Sequence, residues 1–145
     1  MRSIFDNWQT WALLSASFAA LTAIFGKIGV QRIDADFATL IRVLVILAFT
    51  AVLVLFRGSA QPLASIPSRT YTFLALSGFA TGASWLCYYR ALQLGPASRV
   101  APIDKLSVVL VALFGVFLLG ETLTLKNWLG VALVAAGALL VSLRT

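Results

Sequence analysis

Apolar residues dominate five long stretches of this chain, and short segments rich in charged residues, glycine and proline separate them. A helix that crosses the hydrocarbon core of a bilayer needs about 20 mostly apolar residues. The pattern therefore predicts five transmembrane helices, over residues 7–26, 37–56, 70–89, 100–120 and 127–143. The first, third and fifth of these stretches contain no charged residue.

The connections between the predicted spans are short. Residues 32–36, 57–69 and 90–99 separate the first four spans, and each connection holds charges, glycine or proline that lipid does not accept. With about 20 residues in each span, roughly nine remain for each connection, which leaves no room for a soluble domain. We therefore expect one all-α integral membrane domain over residues 1–145. The first stretch is too long for a cleavable signal peptide.

The composition agrees with a membrane protein. Hydrophobic residues make up 61% of the chain and charged residues 11%, whereas soluble domains are about half apolar and about a quarter charged. The net charge of +6 comes from basic residues spread over the connections, which favours contact with lipid headgroups over nucleic acid. Histidine is absent and Cys87 is the single cysteine, so we expect no metal, no cofactor and no internal disulfide.

Arginine and lysine outside the spans are divided almost equally between the two sides of the membrane. The N-terminal side receives four and the opposite side five, with Arg42 and Lys105 set aside because they lie within spans. The difference in arginine and lysine content between the two sides sets the direction of insertion, so a near tie predicts weak orientation or insertion in both directions. Alternatively, a single connection with a strong effect sets the orientation. The four are Arg2, Arg57, Arg69 and Lys126, and the five are Lys27, Arg32, Arg90, Arg99 and Arg144.

Three ionisable side chains fall inside predicted spans: Arg42, Asp104 and Lys105. A charge at membrane depth costs about 2.5 to 3.5 kcal/mol or more, so each is a candidate for a substrate path. The second and fourth spans run parallel, and Arg42 and Asp104 lie ~7.5 and ~6 Å beyond their starts, which allows an ion pair and leaves Lys105 as an extra cation. Alternatively, the two cations extend to the interface, which the short Asp104 carboxylate cannot do.

Pro102 lies two residues before Asp104 and has two interpretations. A proline within a helix removes a hydrogen bond to the carbonyl four residues back, here Ser98, and breaks or kinks the helix. Irregular backbone at membrane depth is tolerated where it is buried in protein or lines water. Alternatively, Pro102 occupies the first turn, where it is tolerated.

Polar residues follow one face of the third span at helical spacing and continue into the fourth. They are candidates for the lining of a cavity, and Trp85 faces either this cavity or the core of the helix bundle. Gly78 and Gly82 form a GxxxG pair that indicates close packing of helices. The polar candidates are Ser77, Thr81, Ser84, Tyr88 and Ser107.

Several segments together resemble the EamA-like domain of the drug/metabolite transporter superfamily. They are "WALLSASFAALTAIFGKIGV" (11–30), Arg42 early in the second span, "WLCYYRALQLGPASRVAPIDKLSVVL" (85–110) and "FLLGETLTLKNWLGVALVAAGALLV" (117–141). The resemblance covers nearly the whole chain. Within it, "VAPIDKLS" and "LLGE" look most like the small five-span bacterial and archaeal members.

The resemblance implies a function and a partner. Larger relatives carry two such repeats in opposite orientations around a central path and work as secondary transporters, often exporters. This chain supplies one repeat, so the resemblance implies an antiparallel partner in the inner membrane, either a second copy or a related small subunit. We therefore expect alternating-access transport of a small polar metabolite, with two cations to one acid favouring an anionic or zwitterionic substrate.

A non-transporting membrane partner or assembly subunit is the alternative interpretation of the same residues. An enzyme is not expected, because the sequence has no nucleophile with a base and no phosphate-cradling glycine loop.

Overall fold

A computed structural model describes residues 7–143 and shows an all-helical chain. Arg2 and Arg144, which enter the count of basic residues, lie outside the described residues. Within 7–143 a single 3-10 turn, Leu63–Ser65, interrupts the second long connection, and no strand is present. The helices are α1 (Trp8–Gly29), α2 (Ala35–Phe56), α3 (Ser68–Leu94), α4 (Ala97–Asp104), α5 (Ser107–Leu119) and α6 (Leu125–Ser142).

Four helical segments are long and apolar enough to cross a membrane. They are α1, α2, the combined segment Ala97–Leu119 and α6. They correspond to four of the five predicted spans. The third predicted span, 70–89, lies inside α3. This helix has 27 residues, and serine, threonine, glycine and tyrosine residues lower its apolar content. Its length suffices for a span, while its apolar content is lower than that of the other four.

Short polar residues and glycine mark the ends of the helices. Asp34 caps α2, because its Oδ1 accepts hydrogen bonds from the backbone N–H groups of Asp36 (2.9 Å) and Phe37 (3.1 Å). Thr124 caps α6 in the same way through the N–H of Asn127. α5 ends at Gly120, whose φ of 71° lies in the left-handed region that favours glycine.

The fourth predicted span is interrupted in its first half. Pro102 is the sixth residue of α4, not part of its first turn, and the helix ends two residues later at Asp104. The Lys105 N–H is shared between the carbonyls of Ala101 (3.3 Å) and Pro102 (3.1 Å). α5 then begins at Ser107. Because Pro102 has no N–H, the carbonyl of Ser98 lacks its helical donor beside this break.

The described residues fall into two compact units. One contains Ile28–Gln93, with α2 and most of α3; the other contains the residues up to Lys27 and those from Leu94 onward. In the second unit α6 packs against α4 and α5. The prediction of a single domain over 1–145 stays a prediction.

Large apolar side chains are mostly exposed in the isolated chain. Phe56 is 89% exposed and Phe117 is 78% exposed, and both lie on helices that are apolar on every side. Apolar surface on this scale is unfavourable in water. It requires lipid or other apolar helices around the chain, which agrees with a multi-pass membrane protein.

Candidate functional site

Arg42 lies against two aromatic rings of α3. Its guanidinium carbon is 4.2 Å from the centroid of the Trp85 ring and 5.5 Å from that of Tyr89. Trp85 and Tyr89 are four residues apart, so they lie on one face of the helix. Tyr89 is buried at 7% exposure, while Arg42 and Trp85 are partly buried. Two cation–π contacts thus hold the predicted charged residue of the second span.

No carboxylate balances Arg42 within its own unit. Arg42 is the eighth residue of α2, ~10 Å along the helix axis from its start. The carboxylates described in residues 28–93 are Asp34 and Asp36, which lie at the beginning of α2, and Asp34 is engaged in the helix cap. Within this unit the guanidinium forms neither an ion pair nor a hydrogen bond with a described residue.

Asp104 pairs with its neighbour Lys105 in the other unit. The Lys105 Nζ and Asp104 Oδ2 atoms are 3.3 Å apart, with side-chain exposures of 57% and 38%. Asp104 is the last residue of α4, where the negative end of the helix dipole disfavours a carboxylate and favours the lysine beside it. Lys105 is therefore a partner of Asp104 and not an extra cation. The predicted Arg42–Asp104 pair would join the two units and stays a prediction.

The hydroxyl candidates of α3 are exposed in the single chain. Ser77, Thr81 and Ser84 are open to the surroundings, and Tyr88 is partly buried. The Thr81 hydroxyl donates to the carbonyl of Ser77 (2.8 Å), which satisfies it within the helix. Ser77, Thr81 and Ser84 therefore lie on the surface of α3 in the single chain, and their place on a substrate path stays a prediction.

Another side of α3 is a shallow apolar groove. Successive residues of a helix turn by about 100°, so Gly78 and Gly82 lie about a third of a turn around the helix from the hydroxyl stripe. No atom lies within 4 Å of a Cβ placed at either glycine. α3 therefore presents one polar face and one small-residue face. The groove is lined by Ala75, Gly78, Phe79, Gly82, Ala83 and Leu86.

Ser107 and Pro102 flank the Asp104–Lys105 pair. Ser107 is exposed at the first position of α5, and Pro102 is partly buried within α4. The backbone break therefore lies at the same level as the ion pair. Within residues 7–143, no three histidine, cysteine, aspartate or glutamate side chains come together to hold a metal ion.

Two residues that make contacts in the unit that contains α2 were not predicted from the sequence. Tyr89 is not among the predicted site residues, although its spacing of four from Trp85 indicates that both rings can contact one neighbour. Gln93 donates through Nε2 to the carbonyls of Val30 (3.1 Å) and Ile33 (2.8 Å). It thereby fastens α3 to the turn before α2, and no sequence pattern indicated this contact.

Comparison with known proteins agrees with this architecture. The profile of the EamA-like transporter family matches residues 6–143. A protein of Sinorhizobium sp. described as an uncharacterized transporter in the cobO 3′ region is 64% identical over 137 residues, covering 94% of this chain and 97% of that protein. No solved structure matches the chain.

A second relative is described as a subunit. It is the probable 4-amino-4-deoxy-L-arabinose-phosphoundecaprenol flippase subunit ArnE of Yersinia pestis (strain Pestoides F). The identity is 38% over 82 residues, which cover 57% of this chain and 72% of the relative. The family profile spans every described residue, and the resemblance seen in the sequence is confirmed: the chain belongs to the EamA-like transporter family.

Proposed function

We propose that the protein is a secondary transporter, an exporter of a small polar metabolite that works by alternating access. In this proposal α3 also crosses the membrane, which brings the number of transmembrane helices to five. The path is lined by Ser77, Thr81, Ser84, Tyr88 and Ser107. The observation that carries the proposal is Arg42, a permanent charge held on Trp85 and Tyr89 within an apolar helix. Charged residues at such depth mark substrate and ion pathways.

The proposed working unit is a dimer in the inner membrane. The partner is a second copy or a related small subunit, inserted in the opposite direction. Three observations support this: the near tie of basic residues, the apolar faces left exposed in the single chain, and the open groove along Gly78 and Gly82, which suits close helix packing. Inverted repeats with a site near the midplane are a common plan of secondary transporters.

Flux into liposomes tests the proposal. We expect vesicles that contain the pure protein to take up at least one compound of a broad metabolite panel faster than empty vesicles. Arg42→Ala and Asp104→Asn should lower this flux by about tenfold or more, because the first removes the cation of the proposed path and the second leaves Lys105 without its counter-charge. Arg57→Lys is the control, since Arg57 lies in the connection after α2 and the lysine keeps the charge that enters the count of basic residues; it should leave the flux unchanged.

The second candidate is a membrane partner that does not transport by itself. The similarity to a protein described as a flippase subunit favours it. Under this candidate the charged residues only set helix contacts. Wild type and all three variants would then leak no faster than empty vesicles over the whole panel, and that result would count against independent transport.

A further inference from the structure

We propose that Arg42, Trp85 and Tyr89 form a binding site for an oxyanion, the phosphate or carboxylate group of a ligand. This inference rests on the proposed function and assigns its substrate a negatively charged group and a place of recognition. It concerns only the unit Ile28–Gln93, in which all three residues lie.

The first argument is the hydrogen-bonding capacity that Arg42 leaves unused. A guanidinium carries five N–H donors arranged as a fork that matches carboxylate and phosphate oxygens. Its contacts in this unit are with the rings of Trp85 and Tyr89. Ring contacts supply no oxygen or nitrogen acceptor, so the donors have none within the unit. An oxyanion would satisfy two of them at once.

The second argument is the charge balance around the site. Asp36 lies six residues before Arg42, ~9 Å along the axis and on another side of the helix, and Asp34 lies two residues further away. Asp104, the carboxylate predicted as the partner, has its own counter-charge in Lys105 at 3.3 Å. Arg42 therefore has no carboxylate partner within its unit, and an incoming ligand can supply the anion.

The third argument is that the site is already organised. Buried Tyr89 and partly buried Trp85 hold the guanidinium from one face of α3, which limits the side-chain freedom that binding would otherwise remove. Low polarity around the site strengthens a charge-assisted hydrogen bond. A lysine has neither the fork nor the flat surface for two rings, so it should be a poor replacement.

Tryptophan fluorescence can report binding directly, because Trp85 belongs to the site. Trp8, Trp11 and Trp128 are replaced by phenylalanine, which leaves Trp85 as the single tryptophan. The protein is placed in phosphatidylcholine nanodiscs and titrated with inorganic phosphate, and in parallel with acetate. We expect a saturable change in Trp85 emission, and Arg42→Gln should weaken the apparent affinity by about tenfold or more.

Matched variants separate binding from general damage. Arg69→Gln removes a similar pair, since the Arg69 guanidinium lies 5.7 Å from the Phe73 ring centroid, and it should leave the titration unchanged. Arg42→Lys retains the charge and should bind more weakly than wild type. Each variant is first checked for an intact helical circular dichroism spectrum. The absence of a saturable response in the folded parent, or an equal response in Arg42→Gln, would overturn the proposal.

Asp104→Asn provides a further decisive comparison. If Asp104 were the anion that holds Arg42, a phosphate response would appear only after this substitution, and the proposed site would be refuted. We expect the parent protein, in which Asp104 is intact, to respond to phosphate already.

The source of the oxyanion is distinguished by the lipid. In nanodiscs that contain phosphatidylglycerol, a lipid headgroup that occupies the site would shift the Trp85 emission before any phosphate is added, and this shift would disappear in Arg42→Gln. A titration identical in both lipids assigns the site to a soluble anion. Either result supports the oxyanion site.

Failure of this inference is separable from failure of the transport proposal, because binding in nanodiscs requires no flux. Flux without a Trp85 response would reject the oxyanion site alone. A Trp85 response without flux would reject independent transport alone.

Discussion

Single side chains decide how this chain accommodates charge in an apolar surrounding. Arg42 and Asp104 could be selected from the sequence because charge at membrane depth is costly wherever it occurs. Their partners could not be selected equally well. Lys105 is adjacent to Asp104 in the sequence, yet the predicted Arg42–Asp104 pair leaves it as an extra cation. Trp85 is 43 positions from Arg42. Contacts between distant residues depend on how two helices pack, which periodicity does not report.

Asp34 yields a prediction at this scale. Its carboxylate accepts two backbone N–H groups at the start of α2, so Asp34→Ala should destabilise the protein by about 1 kcal/mol. Asp34→Asn retains an acceptor oxygen and is the matched control, with an expected loss well below that of alanine. Thermal unfolding of both variants in detergent, followed by circular dichroism, measures the difference. Equal midpoints for the alanine and asparagine variants would contradict the capping role.

The helices themselves were largely predictable, and their interruptions only in part. Apolar runs bounded by glycine, proline and charge located α1, α2 and α6 to within a few residues. α3 extends to Leu94, beyond the predicted end at 89, because Gln93 still finds acceptors at Val30 and Ile33. Pro102 had two interpretations in the sequence, one inside a helix and one in its first turn. The start of α4 at Ala97 places it inside the helix.

The end of α5 gives a prediction at the scale of the element. Gly120 has a φ of 71°, and a side chain in that conformation costs about 1 to 2 kcal/mol, so Gly120→Ala should lower stability by that amount. Gly130→Ala is the matched control, since Gly130 lies within α6 with no atom within 4 Å of an added Cβ. Thermal midpoints in detergent check the prediction. A control variant as unstable as Gly120→Ala would rule out the conformational explanation.

At the scale of the whole molecule, this member of the EamA-like transporter family exposes more apolar surface than its own helices cover. The charge pattern bears on the partner that the proposed dimer requires. With the five predicted spans, basic residues would be almost evenly divided between the two sides, so electrostatics would favour neither orientation strongly. A population inserted in both directions would contain the antiparallel pairs that the proposed transporter requires.

Labelling of intact cells tests this dual insertion. Cys87 is first replaced by serine, because it is exposed and would itself react. A single cysteine is then placed at Ser59, in the connection between α2 and α3. We expect a membrane-impermeant maleimide to label one part of the population from outside and the remainder only after permeabilisation. Complete labelling from one face would contradict dual insertion and favour a separate partner subunit.

The sequence by itself determined the class of this protein, an all-helical, multi-pass membrane chain of the EamA-like family, and it identified Arg42, Asp104 and Lys105 as the charged residues within the predicted spans. Hydropathy and charge belong to each residue whatever its neighbours in space, so the sequence alone reports them. Only the tertiary structure decided that Arg42 rests on Trp85 and Tyr89 and that Gln93 fastens α3 to the turn before α2. Such contacts depend on the distance and direction between packed helices, and the spacing of residues along the sequence does not report either.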